Sequence, residues 1–586
     1  MSLAESRLNP RFGLAAGSRL AAYLTPQNLV LAGCVAVALW IVAVPVWALL
    51  YNAFTEDTGF GPGAFSLGNF VEAYSSWQIL ALFRNSLVFA VGTAVTTFVL
   101  GGAVAWAVER TDAPGAALFH SLALLSFAIP GLLMAMAWIF VFSPNIGWAN
   151  ALMKNAFGLT QAPLNVYSMA GMVWALSSHY FPLSYLSLGP ALRVLDVRME
   201  EAGHVSGGRT WKVLTRITLP LLRPAIMSAM LILFVLGMSS YEVPRLIGRP
   251  ARIDVFTTDI QSAIVQTPPE FGVASALALT LLGICVVAVF FYRRSTRHAE
   301  AFATITGKGY RPTRIELGAW RWPVALGIGL LFVLALGLPL LTLVWQSFFR
   351  NLALPFVHSD APFTLDNYKF VLSYPIFLAA VKTSVLLAAL AATIVSALTL
   401  VMAWVALRTV PRFGWLIDAL AFIPIAIPGV IVGAGILVAY LMLPIPVYNT
   451  IWILLIAYVT LYLPYGMRFS SSGISQIHRE LEEVAQMCGA SPFTRLRRIV
   501  APLLAPALLA GWLFIFLMAA RVLSLPILLA GPRSQTMAVT LFDLWTNGQG
   551  TELAALGLIW SMLMAMIAAA FYALARRSAA AALART

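Results

Sequence analysis

Apolar runs about 20 residues long, the length a helix needs to cross a bilayer, recur twelve times along this chain. Short polar stretches separate them. In the first half they centre on 29–53, 85–108, 117–142, 168–190, 220–240 and 271–292. In the second half they centre on 322–348, 383–407, 415–443, 449–467, 503–523 and 552–575. The pattern predicts an all-α integral membrane protein of about twelve transmembrane helices. Runs carrying Pro130, Pro428, Pro182 and Pro464 are read as kinked rather than broken spans, since neighbouring helices can satisfy the freed backbone groups.

The polar stretches repeat as well. "EEAGHVSGGRTWKVLTRITLPLLRP" from Glu200 to Pro224 answers "EEVAQMCGASPFTRLRRIVAPLLAP" from Glu482 to Pro506, at a constant offset of 282. Upstream the offset is 298: "SLGNF" at 66–70 answers "TLDNY" at 364–368, "AWAVERT" at 105–111 answers "AWVALRT" at 403–409, and "AIPG" recurs at 128–131 and 426–429. The first half therefore carries 16 extra residues between Gly131 and Pro182, in the loop around "SPNIGWANALMKNAFGLTQAPLN". Two homologous six-helix halves in one orientation imply a pseudo-two-fold axis along the membrane normal, surrounding a central pathway. The expected segments are an N-terminal tail, first span and external loop (1–80), a first transmembrane module (81–292) and a basic linker (293–321). A seventh span with its external loop (322–375) and a second module (376–575) follow.

Composition agrees. Of 586 residues, 60% are hydrophobic and 10% charged, with a mean hydropathy of +0.86. A soluble domain carries about 25% charged residues, so lipid must cover much of this surface. The net charge of +14 does not point to nucleic acid, because its location matters more than its sum. With both termini inside, cytoplasmic segments hold 27 of the 37 Lys and Arg, and the positive-inside rule places both polar repeats in the cytoplasm. Cys34, Cys285 and Cys488 show neither a disulfide framework nor metal spacing. The N-terminus has no small-residue cleavage site after a short apolar core, so a removable signal peptide is not expected.

As chemistry, each polar repeat reads as a helix, a turn and a second short helix outside the membrane. Gly207 and Gly489 supply the left-handed residue that ends the first helix. Ser491 reads as an N-cap with Pro492 behind it. The second helix puts Phe493, Leu496 and Ile499 on one stripe, and its twin puts Trp211, Leu214 and Ile217 there; such a stripe needs a burial partner.

Glu, a spacer, Gly, nine residues, Ile, any residue, Leu, Pro resembles the "EAA" loop of type I binding-protein-dependent ABC importer permeases. Glu201, Gly207, Ile217, Leu219 and Pro220 fit it in the first half; Glu483, Gly489, Ile499 and Pro502 fit it in the second, with Ala501 replacing the Leu. Gly208 and Arg209 stand where the family usually has Ala and Ser. The resemblance covers nearly the whole chain and implies a permease in a bacterial inner membrane. It also implies that each short helix docks on one of two copies of a cytoplasmic ATPase, and that a periplasmic solute-binding protein delivers the substrate. The ATPase-coupling residues it implies are Glu201, Gly207, Trp211, Leu214, Ile217, Glu483, Gly489, Phe493, Leu496 and Ile499, with Glu201 and Glu483 orienting the helix through hydrogen bonds.

The chain has no phosphate-binding G-x-x-x-x-G-K-[ST] loop; "ITGKGY" at 305–310 lacks the upstream Gly and the hydroxyl after Lys. No cofactor is expected on this chain, ATP and Mg being held by the partner ATPase, and no catalytic cluster is evident, so the chain is not read as an enzyme. A secondary transporter is the competing class, but it would carry membrane-centre carboxylates, and none is convincing here. His120 and Asp418 are read as helix-end capping or interface-solvated residues rather than substrate contacts, and His179 as a hydrogen-bonded packing residue rather than a ligand. Fusion of two halves resembles the ferric-iron permeases first and the thiamine permeases second. Phosphonate and polyamine stay open, and no residue pattern assigns a metal site.

Overall fold

The computed structural model describes residues 26–56, 63–126, 128–194, 197–296, 314–355, 362–409 and 411–583. Among the described residues, regular structure is helical apart from two single-residue bridges. Nine helical stretches among the described residues are long and apolar enough to cross a membrane, or eleven if each of two bent pairs is one span. The helices used below are α1 (Pro26–Ala53), α2 (Gln78–Arg110), α3 (Ala116–Ser126), α4 (Gly131–Phe142), α5 (Met169–Val194), α6 (Val197–Val205), α7 (Leu219–Ser239), α8 (Arg321–Phe332), α9 (Pro411–Phe422), α10 (Gly429–Met442), α11 (Ile451–Ser475), α12 (Glu480–Met487) and α13 (Ala501–Arg521). The twelfth expected span is α5, which has 26 residues but carries Ser177, Ser178 and His179 buried along its length.

The prolines divide into two classes. Pro182 and Pro464 lie inside continuous helices, as expected. The spans carrying Pro130 and Pro428 are broken instead of kinked: the helices on either side meet at 103° and 102°. Pro130 has an extended ψ of 137° and Pro428 one of 142°. The Pro ring drives the preceding residue out of the helical region, and the Pro then starts a new helix at Gly131 or Gly429. With 12 residues, α4 rises only about 18 Å, well short of the roughly 30 Å hydrocarbon core. Every residue from Leu132 to Val141 is buried, as is every residue from Gly429 to Tyr440.

The chain forms two compact units, one made of residues up to Val44, Ala392–Pro424 and Val459–Ile515, the other of Pro45–Ala391, Ile425–Tyr458 and Phe516 onward. In the first, Cys34 and Ala38 of α1 pack with Met402, Trp404, Ile417, Met467, Leu496 and Leu504, so second-half residues close around a first-half span. In the second, Ile328 and Phe332 of α8 pack with Val104, Phe119, Phe181, Tyr185 and Leu222. The Phe332 ring stacks on Phe119 at 5.8 Å and meets Phe181 edge-on at 5.1 Å. Each core thus includes an opening span taken from the other sequence half.

The described end of the linker is also fastened. Ile315 bridges Thr111 in parallel; its N–H donates to the Arg110 carbonyl at 2.7 Å, and its carbonyl accepts from Asp112 N–H at 3.1 Å. Leu317 N–H donates to Asp112 Oδ1 at 2.9 Å.

Candidate functional site

Both polar repeats fold alike. In the second, α12 ends in a Schellman turn: Ala490 N–H donates to the Ala485 carbonyl, five residues back, at 2.9 Å. Gly489 follows at φ +80°. In the first, Gly208 N–H donates to the Gly203 carbonyl at 3.0 Å and Gly207 also has φ +80°. Ser491 caps the next turn, its Oγ accepting from Thr494 N–H at 3.2 Å. Arg209 at the matching position caps through its carbonyl, which accepts from Lys212 and Val213 N–H.

The second short helix is not a separate element. Thr210–Val213 and Pro492–Arg495 run through π turns, Leu214–Thr218 and Leu496–Val500, straight into α7 and α13. Pro220 and Pro502 cause this, since each lacks an N–H and its ring crowds the carbonyl four residues earlier; the wider turn accommodates both defects.

The expected stripe divides accordingly. Trp211 is 73% exposed and Phe493 68%, whereas Leu496 is buried in a core and Ile217 and Ile499 are half-buried. Ile217 lies over Gly203, where a Cβ would sit 2.6 Å from its Cδ1. The Leu214 side chain lies outside the described residues. The outward apolar surface is completed by residues the sequence reading passed over: Met199 and Val205 on α6, and their matches Leu481 and Met487 on α12, with Val484 between. At i, i+3 and i+6 on α12 they form one exposed face.

The acids also divide differently from expectation. Glu201 is exposed, and Glu483 pairs at the surface with Arg479 at 3.4 Å. The carboxylates that turn inward are their neighbours, Glu200 half-buried and Glu482 buried. Glu200 pairs with Arg110 and accepts from Thr218 Oγ1 at 2.7 Å. Glu482 faces Arg408 Nε at 3.4 Å, the side chains being 6% and 14% exposed, and accepts from Trp404 Nε1 at 2.9 Å. Arg408 Nη2 also donates to the Ile474 and Ile477 carbonyls at 2.9 and 2.5 Å. These two pairs occupy matched positions, joining the end of the second span in each half to the loop helix. The signal was present in "AWAVERT" and "AWVALRT", whose shared Arg is the partner in both.

A family model described as "Binding-protein-dependent transport system inner membrane component" matches residues 98–300 and 396–584, once in each half. The chain belongs to this family. The permease is 23% identical over 536 residues to a ferric transport system permease protein of Actinobacillus pleuropneumoniae, covering 90% of this chain and 75% of that protein. It is 23% identical over 479 residues to an Fe(3+)-transport system permease protein of Haemophilus influenzae, covering 80% and 85%. A crystal structure of a bacterial ABC transporter that imports alginate resembles it at a TM-score of 0.38 and 18% identity, over 50% of this chain and 98% of that one.

Ionisable groups also gather at the first-half break. Arg521, the last residue of α13, is buried, and its Nη1 donates to the Ile129 carbonyl at 3.4 Å. His179 is buried with its Nε2 3.4 Å from the position of a Cβ at Gly131. Its Nδ1 has no hydrogen-bond partner, contrary to the expected hydrogen-bonded packing, and its ring lies against Tyr180 at 5.0 Å. His120 pairs through Nδ1 with Tyr185 Oη at 3.1 Å.

Proposed function

We propose that this permease forms the translocation pathway of an ATP-driven importer for ferric iron, in a bacterial inner membrane with both termini cytoplasmic. A periplasmic binding protein delivers the solute. Two copies of a separate ATPase, which hold ATP and Mg, seat on the two polar loops. The observation that carries this reading is the matched pair of outward apolar surfaces, led by Trp211 and Phe493 and each tied to its second span by a buried Arg–Glu pair. An exposed aromatic beside a left-handed Gly turn, built twice, supports one seat per ATPase copy. Ferric iron is supported by the names of relatives that match over most of both chains.

Two measurements test the reading separately. Detergent-purified permease should bring down the co-expressed ATPase; a permease that purifies alone while catalysing ion-coupled uptake would make it a secondary transporter. A deletion strain should lose uptake of radiolabelled ferric iron supplied with its binding protein. Normal iron uptake with lost uptake of thiamine, a phosphonate or a polyamine would replace the substrate and leave the importer intact.

A further inference from the structure

Each half carries a charged side chain on the apolar outer surface of its second span. In α2 the exposed residues Leu80, Leu87, Val91 and Val95 recur at helical spacing and form one aliphatic stripe that runs down the span toward lipid. Arg84 interrupts that stripe one turn after Leu80 and is itself exposed. At the offset of 298 its match is Lys382, exposed in turn on the second-half stripe of Leu378, Leu386 and Ile394. Neither cation joins an ion pair among the described residues. Arg84 donates one long hydrogen bond, 3.4 Å, to the neutral Asn85 Oδ1, which leaves its charge unbalanced.

The chain ahead of Arg84 descends to the bilayer boundary. In the short external helix Gly68–Ser75, Asn69 Nδ2 donates to the Asn52 and Thr55 carbonyls at 2.9 and 2.7 Å, at the end of the first span. Asn69 also lies against Gly272, at the outer end of the sixth span. Further along the same helix Tyr74 pairs with Thr280, about 12 Å down the sixth span from Gly272. The helix therefore runs toward the membrane, with Leu67, Val71 and Tyr74 exposed along one side and Glu72 and Ser75 along the next. One side suits acyl chains and the other water, the pattern of a helix lying in the interface. The exposed Trp77 carries the apolar side on to the α2 stripe, as an aromatic belt residue does.

We infer that Arg84 and Lys382 each hold the phosphate of an anionic phospholipid in the outer leaflet. Helical side chains lean toward the helix N-terminus, which is the external end of both spans when the termini are cytoplasmic, as proposed above. Each long side chain thus carries its charge up to the headgroups while its stem stays on the stripe, and the acyl chains follow the aliphatic residues below. The phosphodiester supplies the countercharge that the protein leaves out. A headgroup with no ammonium of its own keeps the site neutral, so phosphatidylglycerol fits it better than phosphatidylcholine.

The test uses the full permease in phosphatidylcholine vesicles, with the exposed Cys488 changed to Ser and the buried Cys34 and Cys285 kept. A fluorophore is attached at Leu80→Cys or at Leu378→Cys, one turn above each cation, and quenched by brominated phosphatidylglycerol or brominated phosphatidylcholine. Quenching by phosphatidylglycerol should be half-maximal at about fivefold lower mole fraction, the factor that one Lys or Arg at a charged membrane surface implies. Arg84→Gln should erase the preference at position 80 and keep it at 378, Lys382→Gln should do the reverse, and Arg84→Lys should retain it. Equal quenching by the two lipids, or an unchanged preference in the Gln variants, would overturn the inference. So would a label that neither lipid quenches, which would make the stripe a protein-facing or water-facing surface. Loss of the preference on adding millimolar glycerol phosphate would overturn the lipid in favour of a soluble phosphate.

Discussion

Removing Arg408 should unseat the second-half loop without unfolding the spans. Its guanidinium holds three elements at once: its own span, the end of α11 through the Ile474 and Ile477 carbonyls, and α12 through Glu482. In Arg408→Met the Glu482 carboxylate keeps only the Trp404 indole N–H. Stripping one partner from a buried pair costs about 3–5 kcal/mol. Arg408 and Glu482 meet at 3.4 Å without an aligned hydrogen bond, so the lower end applies, about 3 kcal/mol, or roughly a hundredfold in the equilibrium between seated and unseated loop. Glu482→Gln keeps an acceptor for Trp404 and removes the charge, so it should cost less, about 1–2 kcal/mol.

The pairing itself is isolated by a double-mutant cycle. Affinity of the purified permease for its ATPase, and ATP-driven uptake in proteoliposomes, would be measured for the wild type, Arg408→Met, Glu482→Gln and the double variant. The double variant should be nearly as good as the worse single, giving a coupling of about 1.5 kcal/mol or more. The reasoning fails if the two effects add within about 0.5 kcal/mol, or if Arg408→Met binds the ATPase like the wild type.

Phe493→Ala should weaken ATPase binding by about 2 kcal/mol or more and abolish transport, and Trp211→Ala should do the same in the first half; wild-type binding and uptake with both changed would make the loops solvated connectors. Gly489→Val should add strain on the order of 1 kcal/mol at a left-handed residue without crowding, because nothing lies within 4 Å of the new Cβ, so an inserted but uncoupled permease is expected from co-purification and uptake. Cys488 is exposed whereas Cys34 and Cys285 are buried, so an impermeant maleimide should label the protein from the cytoplasmic side alone, and labelling in intact spheroplasts would refute the orientation. Cutting the gene near Gly307 and co-expressing the pieces should restore uptake, because Ile315 and α8 remain to dock on first-half partners; co-assembled, inserted pieces without transport would refute it.

Spans, repeat and Gly turns were legible because each follows from local composition or from a residue with one conformational reason to be there. Gly207 and Gly489 are such residues: a left-handed φ of +80° is nearly reserved for Gly. What was not legible depends on which of two adjacent residues turns inward. Glu200 and Glu201 are equivalent in sequence, as are Glu482 and Glu483, and one helical step of about 100° decides which reaches the distant Arg. The same ambiguity put Leu496 on the docking stripe, because the π turn caused by Pro502 rotates it into the core.

The broken spans show why a proline in a membrane run can be read either way. Pro182 sits inside a continuous helix, whereas Pro130 stands at the start of a new one with Gly131 behind it. Irregular backbone at membrane depth persists where protein groups satisfy it. At Ile129, beside Pro130, that group is the Arg521 guanidinium, 392 residues away in sequence. An arginine at the end of a span reads as an interface anchor until the carbonyl it serves is located. The break and the buried charge therefore explain each other: the freed carbonyl gives Arg521 an acceptor inside the protein, and Arg521 gives that carbonyl a donor that lipid could not.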